Sequence, residues 1–197
     1  LINNAGYGIF GPVELISEKE AKNQFDVNVF GVANMSKYVI PKMREQNSGL
    51  IINVTSMVGK IGLLFGDWYV SSKFALEGLS DCMRMDLKPF NINVVKLEPG
   101  IINTPWYEKM PPKFIDVTKD TVYAKESEKT MKWLVSAAKA SKTTAKDVAN
   151  TVLEIINSDN PKSSYVVGQE AIELWEFKNN FGEEKFEEEI RNRFLKS

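Results

Sequence analysis

The spacing of apolar residues predicts helices alternating with strands along the chain. From residue 17 to about 46, apolar side chains recur at steps of three and four, which predicts a long helix with Ser17 as its N-cap and Glu20 in the capping-box position. The β-branched apolar run 50–55 follows. Such a run is typical of a strand that is buried on both faces of a parallel sheet.

The same alternation continues further along the chain. A second helix is predicted from about Trp68 to Leu87, before Pro89, and a strand over 91–98 ends at Pro99-Gly100. Strands separated by helices imply right-handed crossovers and a parallel sheet with helices on both faces. The predicted fold class is therefore α/β, a three-layer α-β-α Rossmann-like sheet.

The second half of the chain changes in composition before it returns to regular elements. Residues 101–119 are rich in proline, aromatic and charged residues, which favours a mobile loop, and residues 101–143 are expected to form a substrate loop and lid. The remaining predicted elements are helices at 122–140 and 145–158, a strand at 164–168 and a charged amphipathic helix at 170–196. With no internal repeat or linker, residues 1–197 are expected to form one domain.

Charge and cysteine content narrow the classes of function. The chain has 25 basic and 26 acidic side chains, a net charge of −1, so neither nucleic acid nor an anionic membrane is an expected partner. No run approaches the roughly 20 apolar residues of a membrane span, and no signal peptide is evident. The single cysteine, Cys82, allows no internal disulfide and is predicted to be buried. We expect a cytoplasmic protein that binds a small molecule.

The absence of histidine restricts the possible chemistry further. With no imidazole in the chain, Ser-His-Asp and Cys-His catalysis and histidine-ligated zinc sites are excluded. Proton transfer must therefore use tyrosine, lysine or carboxylate side chains, and no metal is predicted.

A tyrosine and a lysine one helical turn apart form the first candidate for that chemistry. On the predicted second helix, Tyr69 and Lys73 lie on one face, about 6 Å apart at Cβ. A nearby ammonium group would lower the pKa of the phenol and make Tyr69 an acid/base catalyst. The alternative is a surface tyrosine beside a solvated lysine.

Two further polar residues stand where a ligand could reach them. Ser56 directly follows the buried strand, so its hydroxyl is expected at the sheet edge, where it could bind a substrate oxygen. Asn28 interrupts the apolar stripe of the first helix, and a buried carboxamide needs polar partners. A turn serine and a structural asparagine are the alternatives.

In combination these residues resemble the short-chain dehydrogenase/reductase family. The resemblance rests on order and spacing, and it extends over nearly the whole chain as the carboxyl-terminal two-thirds of such an enzyme. The matching residues are Asn3-Asn4-Ala5-Gly6, Asn28, Ser56, Tyr69, Lys73 and the segment from Pro99 to Thr104.

The resemblance implies a role for each catalytic residue. Tyr69 would be the acid/base, Lys73 would lower its pKa and bind the nicotinamide ribose, and Ser56 would orient the substrate oxygen. Asn28 would hold a water that continues the proton relay. The implied cofactor is NADP or NAD. Its implied contacts are Asn4, Ala5 and Gly6 on the adenosine side, Pro99, Gly100, Ile102 and Thr104 at the nicotinamide, and Asn28, Tyr69 and Lys73.

The implied activity is that of an NAD(P)-dependent oxidoreductase that interconverts a hydrophobic secondary alcohol and its ketone, or an aldehyde. The apolar residues between Ser56 and Tyr69, and those of the loop around Trp106, favour a hydrophobic substrate. A homodimer or homotetramer is expected from the family.

The family's glycine-rich phosphate loop does not occur in this sequence. An N-terminally truncated chain is therefore expected, with roughly 70 residues missing before Leu1. Two alternatives stay open. One is a sugar-nucleotide epimerase or dehydratase, which would need a larger carboxyl-terminal domain. The other is a non-catalytic fragment of the same fold that binds no dinucleotide.

Overall fold

A parallel sheet forms the centre of the computed structural model, which describes residues 1–195. Its strands are β1 (Ile2–Asn3), β2 (Gly49–Val54), β3 (Ile92–Pro99) and β4 (Ser164–Val167), side by side in that order. Ile51 and Ile52 alternate to opposite faces of β2, and both are fully buried. The strand is therefore covered on both sides, as its apolar run predicts.

Helices pack on both faces of this sheet. They are α1 (Glu18–Phe25), α2 (Val32–Glu45), α3 (Asp67–Leu87), α4 (Trp106–Lys109), α5 (Pro111–Thr118), α6 (Ala124–Ala140), α7 (Ala145–Ile156), α8 (Gln169–Phe181) and α9 (Glu183–Leu195). Short turns of 3₁₀ helix occur at Met57–Gly59 and Lys88–Phe90.

Two apolar clusters show how the layers divide. Ile51 and Val94 pack with side chains of α2 and α3, whereas Ile52 and Val95 pack with Ile155 of α7 on the opposite face. The predicted three-layer α-β-α arrangement is confirmed.

The first long helix contains one irregular segment. Ser17 caps α1 as predicted, since its Oγ accepts a hydrogen bond from the Glu20 amide at 3.3 Å. The helix then passes through a π-helical segment, Asp26–Gly31, before it continues as α2. A π-helical turn adds a residue to the helix and changes which side chains face inward. Asn28 lies in this segment.

Three expectations are corrected by the structure. Residues 101–119 are not an irregular loop, because they contain α4 and α5, and Phe114 is buried in the main core. The predicted single tail helix is two helices, separated at Gly182, whose φ of 84° is a left-handed conformation that glycine adopts without strain. Its predicted end at Lys196 lies outside the described residues. Cys82 is exposed rather than buried.

The tail helices α8 and α9 pack into the main apolar core. Phe186 and Ile190 of α9 are buried in the main core with Met131 and Leu134 of α6. Within residues 1–195, no helix combines the length and apolar character needed to cross a membrane.

Candidate active site

A cavity of about 210 Å³ lies at the carboxyl ends of β1, β2 and β3. This edge of a parallel α/β sheet is where ligands commonly bind. Nine of the predicted site residues line the cavity: Asn4, Gly6, Ser56, Tyr69, Lys73, Pro99, Gly100, Ile102 and Thr104. Of the other two, Ala5 is exposed, and Asn28 is buried behind the wall.

Helix α3 brings Tyr69 and Lys73 to the cavity together. Lys73 Nζ lies 6.0 Å from the centre of the Tyr69 ring and donates a hydrogen bond to the Val54 carbonyl at 3.0 Å. Only 6% of the Lys73 surface is exposed. The alternative of a solvated surface pair is therefore excluded.

The environment of Tyr69 differs from the one we expected. Burial raises the pKa of the phenol above its ordinary value, and a hydrogen bond with Ser56 opposes the rise. The net shift is therefore upward, whereas we expected a pKa below the ordinary value. Tyr69 is consequently protonated at neutral pH and able to donate its proton.

Burial also disfavours the charged form of Lys73, and for an ammonium group this lowers the pKa. The pKa of the Lys73 ammonium group falls to about 8, although the negative charge of Glu77, one helical turn away, opposes this fall. Lys73 therefore keeps its positive charge at pH 7, but it loses that charge well before an ordinary lysine does.

This lowered pKa predicts a pH-dependent stability. Between about pH 8 and 10.5 the unfolded chain binds the Lys73 proton and the folded chain does not, so stability rises with pH in this window. The Lys73→Met variant lacks this pH-dependent contribution to stability. Its free energy of unfolding relative to wild type should therefore fall by about 3 kcal/mol from pH 7 to pH 10.5. Urea titrations at both pH values measure this, with exposed Lys37→Met as control; equal shifts in the two variants would contradict it.

The segment after β2 positions Ser56. The Ser56 Oγ accepts a hydrogen bond from the Val58 amide at 3.3 Å and lies 3.4 Å from the Pro99 carbonyl. Trp175 of α8 donates a hydrogen bond to the Met57 carbonyl at 2.9 Å, which fixes the 3₁₀ turn that follows. The serine hydroxyl is thus held beside the phenol by a braced turn.

Asn28 joins the loop after β1 to α3. Its Oδ1 accepts a hydrogen bond from the Tyr7 amide at 3.1 Å, and its Nδ2 donates to the Tyr7 carbonyl at 2.9 Å and to Ser72 Oγ at 3.0 Å. These contacts confirm that the buried carboxamide has polar partners. They hold Tyr7 in place at the cavity wall.

Two glycines allow the backbone to approach the site closely. A Cβ on Gly6 would lie 3.2 Å from Asn28 Oδ1 and 3.7 Å from Lys73 Nζ. A Cβ on Gly8 would lie 2.9 Å from the ring of Phe10 and 3.2 Å from each of the rings of Trp106 and Tyr69. Gly8 was not among the predicted site residues, although its position in the segment Gly6-Tyr7-Gly8 was a signal.

Buried charges behind the site were also missed. Glu98 is fully buried, and burial raises the pKa of its carboxyl group to about 7, although its ion pair with Lys60 at 2.7 Å opposes the rise. Lys96 on the same strand pairs with Glu77 and Asp81 at 3.0 and 2.6 Å. Two charged residues in a mostly apolar strand were the available signal. Among the described residues, no cluster of three or more cysteine or acidic side chains could hold a metal.

The parallel sheet with helices on both faces defines a Rossmann-like fold, and Ser56, Tyr69 and Lys73 line one cavity at the edge of that sheet. A family model described as short chain dehydrogenase matches residues 1–113, and the chain belongs to this family.

Known proteins show the same relationship. The chain is 36% identical over 168 residues to VdlC of Helicobacter pylori, a probable short-chain type dehydrogenase/reductase, covering 85% of this chain and 61% of VdlC. It is 46% identical over 104 residues to the 3-ketodihydrosphingosine reductase of Bacteroides thetaiotaomicron, covering 53% and 39%. The chain thus spans less than two thirds of either relative.

A solved structure has the same fold. A short chain dehydrogenase/reductase from Burkholderia phymatum, crystallised in complex with NAD, superposes with a TM-score of 0.74 at 22% sequence identity. The match covers 91% of this chain and 64% of the Burkholderia chain.

Proposed function

We propose that the protein interconverts a hydrophobic secondary alcohol and its ketone, or an aldehyde, with NADP or NAD as the hydride carrier. The convergence of Ser56, Tyr69 and Lys73 on one cavity carries this proposal. The same convergence disfavours the alternative of a non-catalytic fragment, because such a fragment has no need for a buried lysine beside a half-buried tyrosine.

The cavity has the features that a nicotinamide cofactor needs. Gly6 leaves open space beside Asn28 and Lys73 that a side chain would fill, and the Lys73 ammonium has donors beyond its single bond to Val54. Lys73 would bind a ribose hydroxyl, and Pro99, Gly100, Ile102 and Thr104 would face the nicotinamide. When bound, the cofactor supplies or accepts a hydride at the substrate carbon.

The chain's own residues would handle the proton. In the reductive direction Ser56 and Tyr69 donate hydrogen bonds to the carbonyl oxygen, and the phenolic proton moves to that oxygen as the alcohol forms. The positive charge of Lys73 then stabilises the phenolate. In the oxidative direction the phenolate takes the proton back. A phenol that burial keeps protonated suits the reductive direction.

The apolar wall supports a hydrophobic substrate. The apolar and aromatic residues that line the cavity include Phe10, Leu63, Trp106, Tyr107 and Leu134. One relative is named 3-ketodihydrosphingosine reductase, after a keto compound. We also propose that residues 101–143 act as the substrate-loop and lid region, since α4 contributes Trp106 and Tyr107 to this wall and α6 contributes Leu134.

The first test is a turnover assay on the protein as its own cells produce it. Octan-2-one with NADPH or NADH, and octan-2-ol with the oxidised cofactors, are followed by nicotinamide absorbance. We expect turnover with at least one cofactor. Absence of turnover in both directions, together with no quenching of tryptophan fluorescence by any of the four cofactors, would contradict the proposal.

A further inference from the structure

A second cavity of about 200 Å³ adjoins the first. The two share three wall residues, Tyr7, Phe10 and Trp106. The second cavity therefore begins where the aromatic wall of the candidate active site ends.

The rings of Phe10 and Trp106 form an aromatic partition between the cavities, and the Tyr69 ring packs against both from the first cavity. The Phe10 ring centre lies 5.5 Å from that of Tyr69 and 6.0 Å from that of Trp106, and Tyr69 and Trp106 are 6.3 Å apart. Gly8 stands against all three rings, and any side chain there would press on them. Side chains rather than backbone separate the two cavities at Phe10 and Trp106, so a change in the side-chain torsions of these two residues would join the cavities for a slender chain.

The second cavity, called the chamber below, has mostly apolar walls. Beyond the partition it is lined by Ile16, Met110, Phe114 and Val117. Lys113 is the charged residue of the lining, and its ammonium already pairs with Glu20 at 2.9 Å. The chamber thus has no unpaired charge to attract a polar group, and it favours hydrocarbon.

We propose that this chamber binds the apolar tail of the substrate, so that the preferred substrates are carbonyl compounds with a long unbranched chain. The carbonyl lies at Ser56 and Tyr69, and the tail passes between Phe10 and Trp106 into the chamber. This inference rests on the proposed function and adds a preference for tail length, with α5 as the element that determines it.

A homologous series of ketones tests the proposal. The kcat/KM of the natural protein is measured for 2-alkanones from butan-2-one to decan-2-one. Each methylene that enters the chamber should raise kcat/KM by about fourfold. Turnover of all the ketones at equal kcat/KM would overturn the inference and leave the proposed function intact, whereas no turnover of any ketone would contradict the function itself.

A second experiment fills the chamber with a larger side chain. Val117→Phe should lower the ratio of kcat/KM for decan-2-one to that for butan-2-one by at least about tenfold. Val122→Phe is the matched control, because Val122 is 92% exposed and lies outside the chamber. The same ratio in both variants would overturn the inference.

Val117→Phe could misfold, and a loss of cooperative thermal unfolding in that variant would reveal it. The smaller substitution Val117→Leu is therefore measured as well. Leucine adds one methylene and should lower the same ratio by about fourfold. A ratio equal to wild type in Val117→Leu would likewise overturn the inference.

Discussion

Replacing Tyr69 by phenylalanine is expected to lower kcat about 10²- to 10⁴-fold with little change in cofactor affinity. Phenylalanine keeps the ring that packs against Phe10 and Trp106, so the aromatic partition should persist. It removes the hydroxyl that hydrogen-bonds Ser56 and that burial keeps protonated. The variant can therefore bind substrate and cofactor but cannot transfer the proton.

Two measurements separate this result from a general loss of structure. Cofactor affinity from tryptophan fluorescence should stay within about twofold of wild type, because a change confined to proton transfer lowers kcat without altering binding. Tyr38→Phe is the matched control, since Tyr38 is 80% exposed on α2, and its kcat should equal that of wild type. A Tyr69→Phe variant with wild-type kcat would show that another group supplies the proton.

Replacing Phe114 by alanine is expected to lower the free energy of unfolding by about 3–5 kcal/mol. Phe114 is 2% exposed, and its ring contacts Phe65 and Phe10 at centre distances of 5.3 and 6.4 Å. A close-packed core refills the space left by a removed ring only in part. The loss therefore includes a cavity term as well as the lost transfer of the ring from water.

The control for this variant is Phe181→Ala. Phe181 is 52% exposed at the end of α8, so its removal should cost less than about 1 kcal/mol. Urea unfolding of the two variants and the wild type gives the comparison. Similar small losses in both variants would show that α5 contributes little to the stability of the fold.

The fold was largely predictable because burial leaves a periodic pattern. Runs of β-branched residues identified β2 and β3, and three-to-four spacing identified α3 within one residue at its start. Proline and aromatic clusters have no such period, so α4 and α5 were predicted as a loop. The break at Gly182 was not predicted either, because a single glycine does not show from sequence that one helix ends and another begins there.

The candidate site was predictable where spacing alone brings groups together. Tyr69 and Lys73 share a helix face, and Ser56 follows a strand that ends at the same edge. The direction of the Tyr69 pKa was not predictable, because it depends on burial by Phe10 and Trp106, which come from distant parts of the chain. Contacts of this kind have no local signature.

Long-range polar contacts escaped prediction for the same reason. Asn3 Nδ2 donates to Asn53 Oδ1 at 2.8 Å, and Asn53 Nδ2 donates to Ser80 Oγ at 2.9 Å. These three residues lie on β1, β2 and α3. Their side chains meet only when the parallel register is known.

The exposure of Cys82 makes the chain suitable for single-site labelling. It is the one cysteine in the sequence, so a maleimide dye attaches at one position without further mutagenesis. Thirteen residues separate it from Tyr69 on α3, which places the dye about 20 Å along the helix axis from the cavity. If a second copy of the chain covers this face of α3, dilution will accelerate labelling, and the reaction rate becomes a direct readout of assembly.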